Sequence, residues 1–142
     1  MIQIKHNNAL LAIIITPDFR EEGAHFFTPN EFSQQLGFIK HPAGSKIKPH
    51  THNFIPRQVV FTQEVLIIQK GKLRVDFYSK EKEYLQSTIL NMGDIILLVS
   101  GGHGFEALED IEMIEVKQGP HMGEADKTRF EGVSADKVKL KT

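Results

Sequence analysis

The chain contains no cysteine, which excludes disulfides, thiolate metal ligands and a thiol nucleophile together. Any metal it binds must be held by nitrogen and oxygen. An excess of one charge is also missing. The 17 Lys and Arg stand against 18 Asp and Glu, a formal net charge of -1 at pH 7, so no strong field draws the chain toward nucleic acid or an anionic membrane. A small molecule is the expected partner. Nor is there a long hydrophobic run. The longest purely apolar stretch, residues 9–15, is far shorter than a bilayer span, and no basic segment with a cleavage-like site precedes it. No membrane partner and a cytoplasmic location are the resulting expectations. Low-complexity tracts and repeats of solenoid period are absent as well.

What is present is an ordinary globular mixture, 40% hydrophobic and 25% charged over 142 residues. That length suits one domain able to bury a core without covalent staples. The expectation is a single domain over residues 1–142, with its core at about 9–118 and a polar tail at 119–142 carrying Pro120, Gly123 and several lysines. Glycine and proline fall at short intervals between apolar runs rich in Ile, Val and Phe, the pattern of an all-β chain. Strands are expected at residues 9–16, 37–41, 64–69, 73–78, 85–90, 95–99, 103–108 and 111–117. Gly71-Lys72 reads as the turn of a hairpin joining two of them, with Leu73, Val75 and Phe77 on one face. Thr28-Pro29-Asn30-Glu31 reads as the start of one short N-terminal helix: a hydroxyl cap, proline at the first helical position and a glutamate three residues on. Gly37 limits it to about two or three turns.

The residues with chemistry are histidines and one glutamate. Pro49-His50-Thr51-His52-Asn53 places two imidazoles two residues apart at an expected strand start. On a strand they share a face and can chelate a divalent ion, whereas on a helix they diverge by about 200°. Glu64 opens an otherwise apolar strand, Val65-Leu66-Ile67-Ile68, and a carboxylate among such neighbours needs a partner if it faces inward. A cation supplies one; an arginine such as Arg57 is the bland alternative. His103 follows Gly101-Gly102 and precedes Gly104-Phe105, small residues that let backbone or ligand approach closely. Its bland alternative is a turn histidine bonded to nearby backbone. Arg57 and Gln58 are candidates for orienting a ligand, and Phe54, Phe61 and Phe105 for walling a pocket. His6, His25, His41 and His121 lack such spacing and read as surface or loop residues.

These residues resemble the cupin family, whose two short motifs carry metal ligands. Gly44 is followed after five residues by His50 and His52, and Glu64 after six residues by Gly71, which is similar to the first motif. Gly93-Asp94, Gly101 and His103 resemble the second. Eleven residues separate His52 from Glu64 where the family has three or four, and Val99 stands at the usual proline. Within the family the stretches Thr62-Gln63-Glu64-Val65-Leu66 and Ser100-Gly101-Gly102-His103-Gly104-Phe105 are similar to small cupins associated with surface-polysaccharide and sugar-nucleotide functions.

The resemblance implies a cupin-type β-barrel, a jelly roll, and one divalent transition metal held by His50, His52, Glu64 and His103. Zn, Mn, Fe, Ni and Co all suit such nitrogen and oxygen donors. The leading expectation is a metal-dependent enzyme, of isomerase or oxygenase type, acting on a small polar molecule such as a sugar derivative. No catalytic base distinct from the metal ligands can be named. Two rivals follow: a binding module for a saccharide or metabolite, and a metal-free sugar isomerase using a histidine as base. The apolar stretch at residues 9–15, taken as an edge strand, also implies a homodimer.

Overall fold

The computed structural model describes residues 1–141. It is all-β: ten strands in three sheets, with two single 3-10 turns at Gly123–Asp126 and Ala135–Lys137. The strands are β1 (Ile2–His6), β2 (Ala9–Ile15), β3 (Gly23–Phe26), β4 (Gly37–Lys40), β5 (Glu64–Lys70), β6 (Lys72–Tyr78), β7 (Tyr84–Asn91), β8 (Ile95–Leu98), β9 (Gly102–Ala107) and β10 (Glu112–Lys117).

A five-stranded sheet runs in the order β1-β2-β8-β5-β10 and faces a three-stranded sheet, β7-β6-β9. Between them lies the main core. Ala12, Ile14, Leu66, Ile68, Ile96 and Leu98 come from the larger sheet, and Leu73, Val75, Phe77 and Leu90 from the smaller. The opposite face of the larger sheet is also covered. Ile13, Val65, Leu97 and Val99 meet Phe27, Phe32 and Leu36, which flank or connect the β3–β4 hairpin. Burial on both faces explains why β2 has no polar residue, since alternation appears only where one face meets water. It also removes the reason for expecting β2 at a dimer edge, because β2 lies between β1 and β8.

Three expectations about local structure are corrected. The helix expected from Thr28 is absent. Instead the Thr28 hydroxyl donates to Gln35 Oε1 at 2.7 Å and accepts from the Leu36 amide at 3.2 Å, while Gln35 Nε2 donates to the Pro29 and Phe32 carbonyls. The cap closes a loop, and that loop delivers Phe32 and Leu36 to the second core. No strand forms at His50 and His52, because residues 41–63 have no strand at all beyond the turn Pro42–Ser45, closed by a 3.2 Å bond. Nor do β5 and β6 form a hairpin. β5 is already paired on both edges, by β8 and β10, so Gly71 carries the chain across to the other sheet.

The expected barrel is likewise not closed. β9 and β10 are consecutive yet belong to different sheets, and no strand from residues 41–63 joins the two sheets along that side. From β5 onward every connection except β6–β7 passes between the facing sheets.

The polar tail is laid against the smaller sheet. Phe130 packs edge-on against Tyr78 at 5.0 Å, the Val133 amide donates to the Tyr78 hydroxyl at 2.9 Å, and Leu140 makes a parallel bridge with Ser87. Beneath it sits a polar network on the outer face of β6: Arg74 grips the buried Asp76 with two bonds, and Asp76 accepts from the Ser87 hydroxyl.

Candidate functional site

Strand alternation puts Glu64 on the same face of β5 as Leu66 and Ile68, turned toward the smaller sheet. On β9, His103 is paired with the inward-facing Phe77 of β6. The two side chains therefore meet between the sheets, with His103 Nε2 3.1 Å from Glu64 Oε2. The carboxylate can only accept, so a hydrogen bond across this contact uses a proton on Nε2. The Glu64 side chain is 8% exposed and that of His103 31%, which places the pair at the sandwich rim, closed behind and open in front. The hydrogen bond from His103 holds the Glu64 carboxyl below its usual value; burial opposes this, and the positive charges of Lys127 and Lys117 add to it.

Glycines set this geometry. Gly101 has φ +76, and a Cβ there would stand 2.6 Å from the Tyr78 carbonyl oxygen. Only glycine lets the β8–β9 connection pass this close to β6 before His103 turns inward. A Cβ on Gly102 would press on the Phe130 ring at 3.0 Å.

Glu64 and His103 line a cleft of about 960 Å³. Its walls are the approach to β5, the β6–β7 turn, the β8–β9 connection and the tail around residues 126–132. Phe105 lies on one wall with its ring 5.2 Å from that of His103, and Phe61 on another. The tail is tied to the approach by the Thr62 hydroxyl, which donates to Asp126 Oδ1 at 2.8 Å.

His50 and His52 lie outside the cleft wall, exposed in the long loop with their rings 5.3 Å apart. His50 Nδ1 donates to the Lys48 carbonyl at 3.1 Å, leaving Nε2 as the nitrogen with a free lone pair. The structure thus forms two donor pairs, Glu64 with His103 and His50 with His52, and does not bring one pair to the other. Among the described residues no three or more His, Cys, Asp or Glu side chains stand together as a metal cage. Arg57 turns back to its own loop, 3.5 Å from the Ile55 carbonyl, and Gln58 is exposed; neither lines the cleft. Phe54 is 96% exposed and walls nothing. Glu64 has taken His103, not Arg57, as its partner.

No family model, curated protein or solved structure matches this chain. No helix among the described residues is long and apolar enough to cross a membrane.

Residues that sequence reasoning missed are Lys80 and Lys82 in the β6–β7 turn, and Lys127, Arg129 and Phe130 in the tail, all on the cleft wall. The tail offered one signal, Phe130, its only Phe, Tyr or Trp.

Proposed function

We propose that this chain is a cupin-type jelly-roll protein whose cleft receives a small polar molecule, such as a sugar derivative, beside one divalent transition metal held by Glu64, His103, His50 and His52. The observation that carries the reading is the 3.1 Å approach of Glu64 and His103 from opposite sheets. Adjacent ligands on one transition metal, each about 2.0–2.2 Å from it, stand about 3.0–3.5 Å from each other. The pair is therefore spaced as two neighbouring donors. His50 suits the role as well, because a ligating histidine commonly donates its other ring N–H to a backbone carbonyl, and its Nδ1 does so to Lys48. The passage of the chain between facing sheets supports the jelly roll.

When bound, such an ion would act as a Lewis acid on a carbonyl or hydroxyl, serving an isomerase or an oxygenase. The chain's own contribution is positional. Glu64 is fixed by β5, His103 by β9, and the Phe105 ring shields one side of the pair. The loop at residues 41–63 must fold inward for His50 and His52 to join them. A cytoplasmic location belongs to the same proposal on composition alone.

A second reading rests on the same contact without a metal. His103, hydrogen-bonded to a carboxylate, has the arrangement of an oriented acid–base histidine, and the second donor pair lies elsewhere. Elemental analysis of untagged protein incubated with Mn, Fe, Co, Ni and Zn and then desalted separates the two. Stoichiometric metal in the wild type, lost in both His103→Ala and His50→Ala, supports the metal centre. Metal-free wild type that isomerises a sugar from a substrate panel, with activity lost in His103→Ala, supports the acid–base pair.

A further inference from the structure

The protein as a whole carries a net charge of -1, yet its cleft is lined by Lys80, Lys82, Lys127 and Arg129 against Glu64 and Asp126. Three of these six groups already have a partner. Glu64 is bonded to His103, Asp126 to Thr62, and Arg129 Nη2 stands 3.1 Å from Glu124. Lys80, Lys82 and Lys127 form no ion pair among the described residues. Three ammonium groups with no contacting carboxylate thus surround one opening, Lys80 next to Glu81 in its own turn and Lys127 acting on Glu64 through its charge.

The lysines of the β6–β7 turn are also held in place. Lys80 Nζ stands 5.9 Å from the centre of the Phe61 ring and Lys82 Nζ 5.8 Å from that of Phe130, distances at which a cation is attracted to an aromatic face. Lys82 has φ +69, a conformation that glycine or asparagine adopts more readily in such a turn. A lysine here bears a backbone cost that glycine would avoid, and it places its ammonium group at the mouth of the cleft.

We propose that this cleft binds a phosphorylated small molecule, with Lys80, Lys82 and Lys127 receiving the phosphate or pyrophosphate group and the body of the molecule lying toward Glu64 and His103. This rests on the reading of the cleft as the ligand site and not on the metal. Three lysines exceed what one carboxylate would neutralise, and lysine meets phosphate as a point charge. Arg129, whose planar group suits carboxylate and phosphate alike, is already engaged by Glu124 and is left out of the proposal. A volume of about 960 Å³ has room for more than a bare anion.

The test is calorimetric titration of pyrophosphate into metal-stripped full-length protein, with citrate as the competing chemistry. Lys82→Asn keeps a residue that tolerates the turn conformation, Lys127→Gln keeps the side-chain length, and Lys70→Ala, at the far end of β5, reports general loss of charge. Saturable pyrophosphate binding, weakened about tenfold in Lys82→Asn and in Lys127→Gln and unchanged in Lys70→Ala, is the expected result. Absence of saturable binding, equal weakening in Lys70→Ala, or tighter binding of citrate than of pyrophosphate would overturn the proposal. Metal content is measured separately. Phosphate binding without metal uptake would sink only the metal centre, and metal uptake without phosphate binding only this proposal.

Discussion

At Glu64 two energies oppose each other. Removing the carboxylate from water favours its protonated form, while the His103 hydrogen bond and nearby positive charges favour the ionised one. The hydrogen bond wins, and the carboxyl is held below the ordinary glutamate value. The sign of the pH dependence follows by linkage. A carboxyl depressed in the folded state adds stability above its unfolded value and loses it as the pH falls through that value toward the folded one. Glu64→Gln removes this titration. The wild-type melting temperature should therefore fall more steeply than that of Glu64→Gln as the pH is lowered from 6 into the acid side of the glutamate range. Circular dichroism melts across that window check it, and parallel curves for the two proteins would show that the contact contributes nothing to stability.

Among elements, the β8–β9 connection is the one on which the site depends. Gly101 and Gly44 both have positive φ, +76 and +86, but they differ in surroundings. A Cβ at Gly44 meets nothing within 4 Å, whereas at Gly101 it meets the Tyr78 carbonyl at 2.6 Å and the Leu11 side chain at 3.0 Å. Gly44→Ala should cost about 1 kcal/mol from backbone conformation alone. Gly101→Ala should cost about 1–3 kcal/mol more, because the strand must also move. Urea denaturation of both measures the difference, and equal losses would contradict the close approach. The strands themselves were largely legible: β2, β4, β5, β6, β7, β8, β9 and β10 lie within a residue or two of where apolar runs and turn residues place them. β1 was missed although Asn7 and Asn8, at φ 47 and 65, form the two-residue turn that joins it to β2. The helix at Thr28 was misread because a capping pattern is local, while the choice between helix and loop was made by Phe32 and Leu36 packing on the larger sheet.

At the scale of the whole molecule, assignment of strands to sheets was not legible. A glycine turn such as Gly71 reads the same whether the next strand pairs beside the last or crosses to a facing sheet. The Glu64–His103 contact is legible as a pair of candidates but not as a 3.1 Å contact, because it depends on two sheets stacking. Likewise β2 looked like an edge and proved to be interior; the exposed edge next to β5 is β10, where Met113, Ile114 and Val116 are 38%, 45% and 50% exposed. Such an edge, apolar on both faces, invites a further strand. A second copy of β10 fits it. Antiparallel pairing about a two-fold axis through Ile114 sets Ile114 opposite Ile114 and Met113 opposite Glu115, with Val116 on the same face as Ile114, so the strand meets itself in apolar contact at its centre. The expected solution state is accordingly a homodimer through β10. Ile114→Lys and Val116→Lys together should convert it to a monomer by analytical ultracentrifugation at micromolar concentration while leaving the circular dichroism spectrum unchanged, since the two residues are 45% and 50% exposed in the single chain and the lysine stem can reach past the sheet edge to water. A wild-type protein that is monomeric under those conditions, or a dimer that the double variant leaves intact, would rule out this interface.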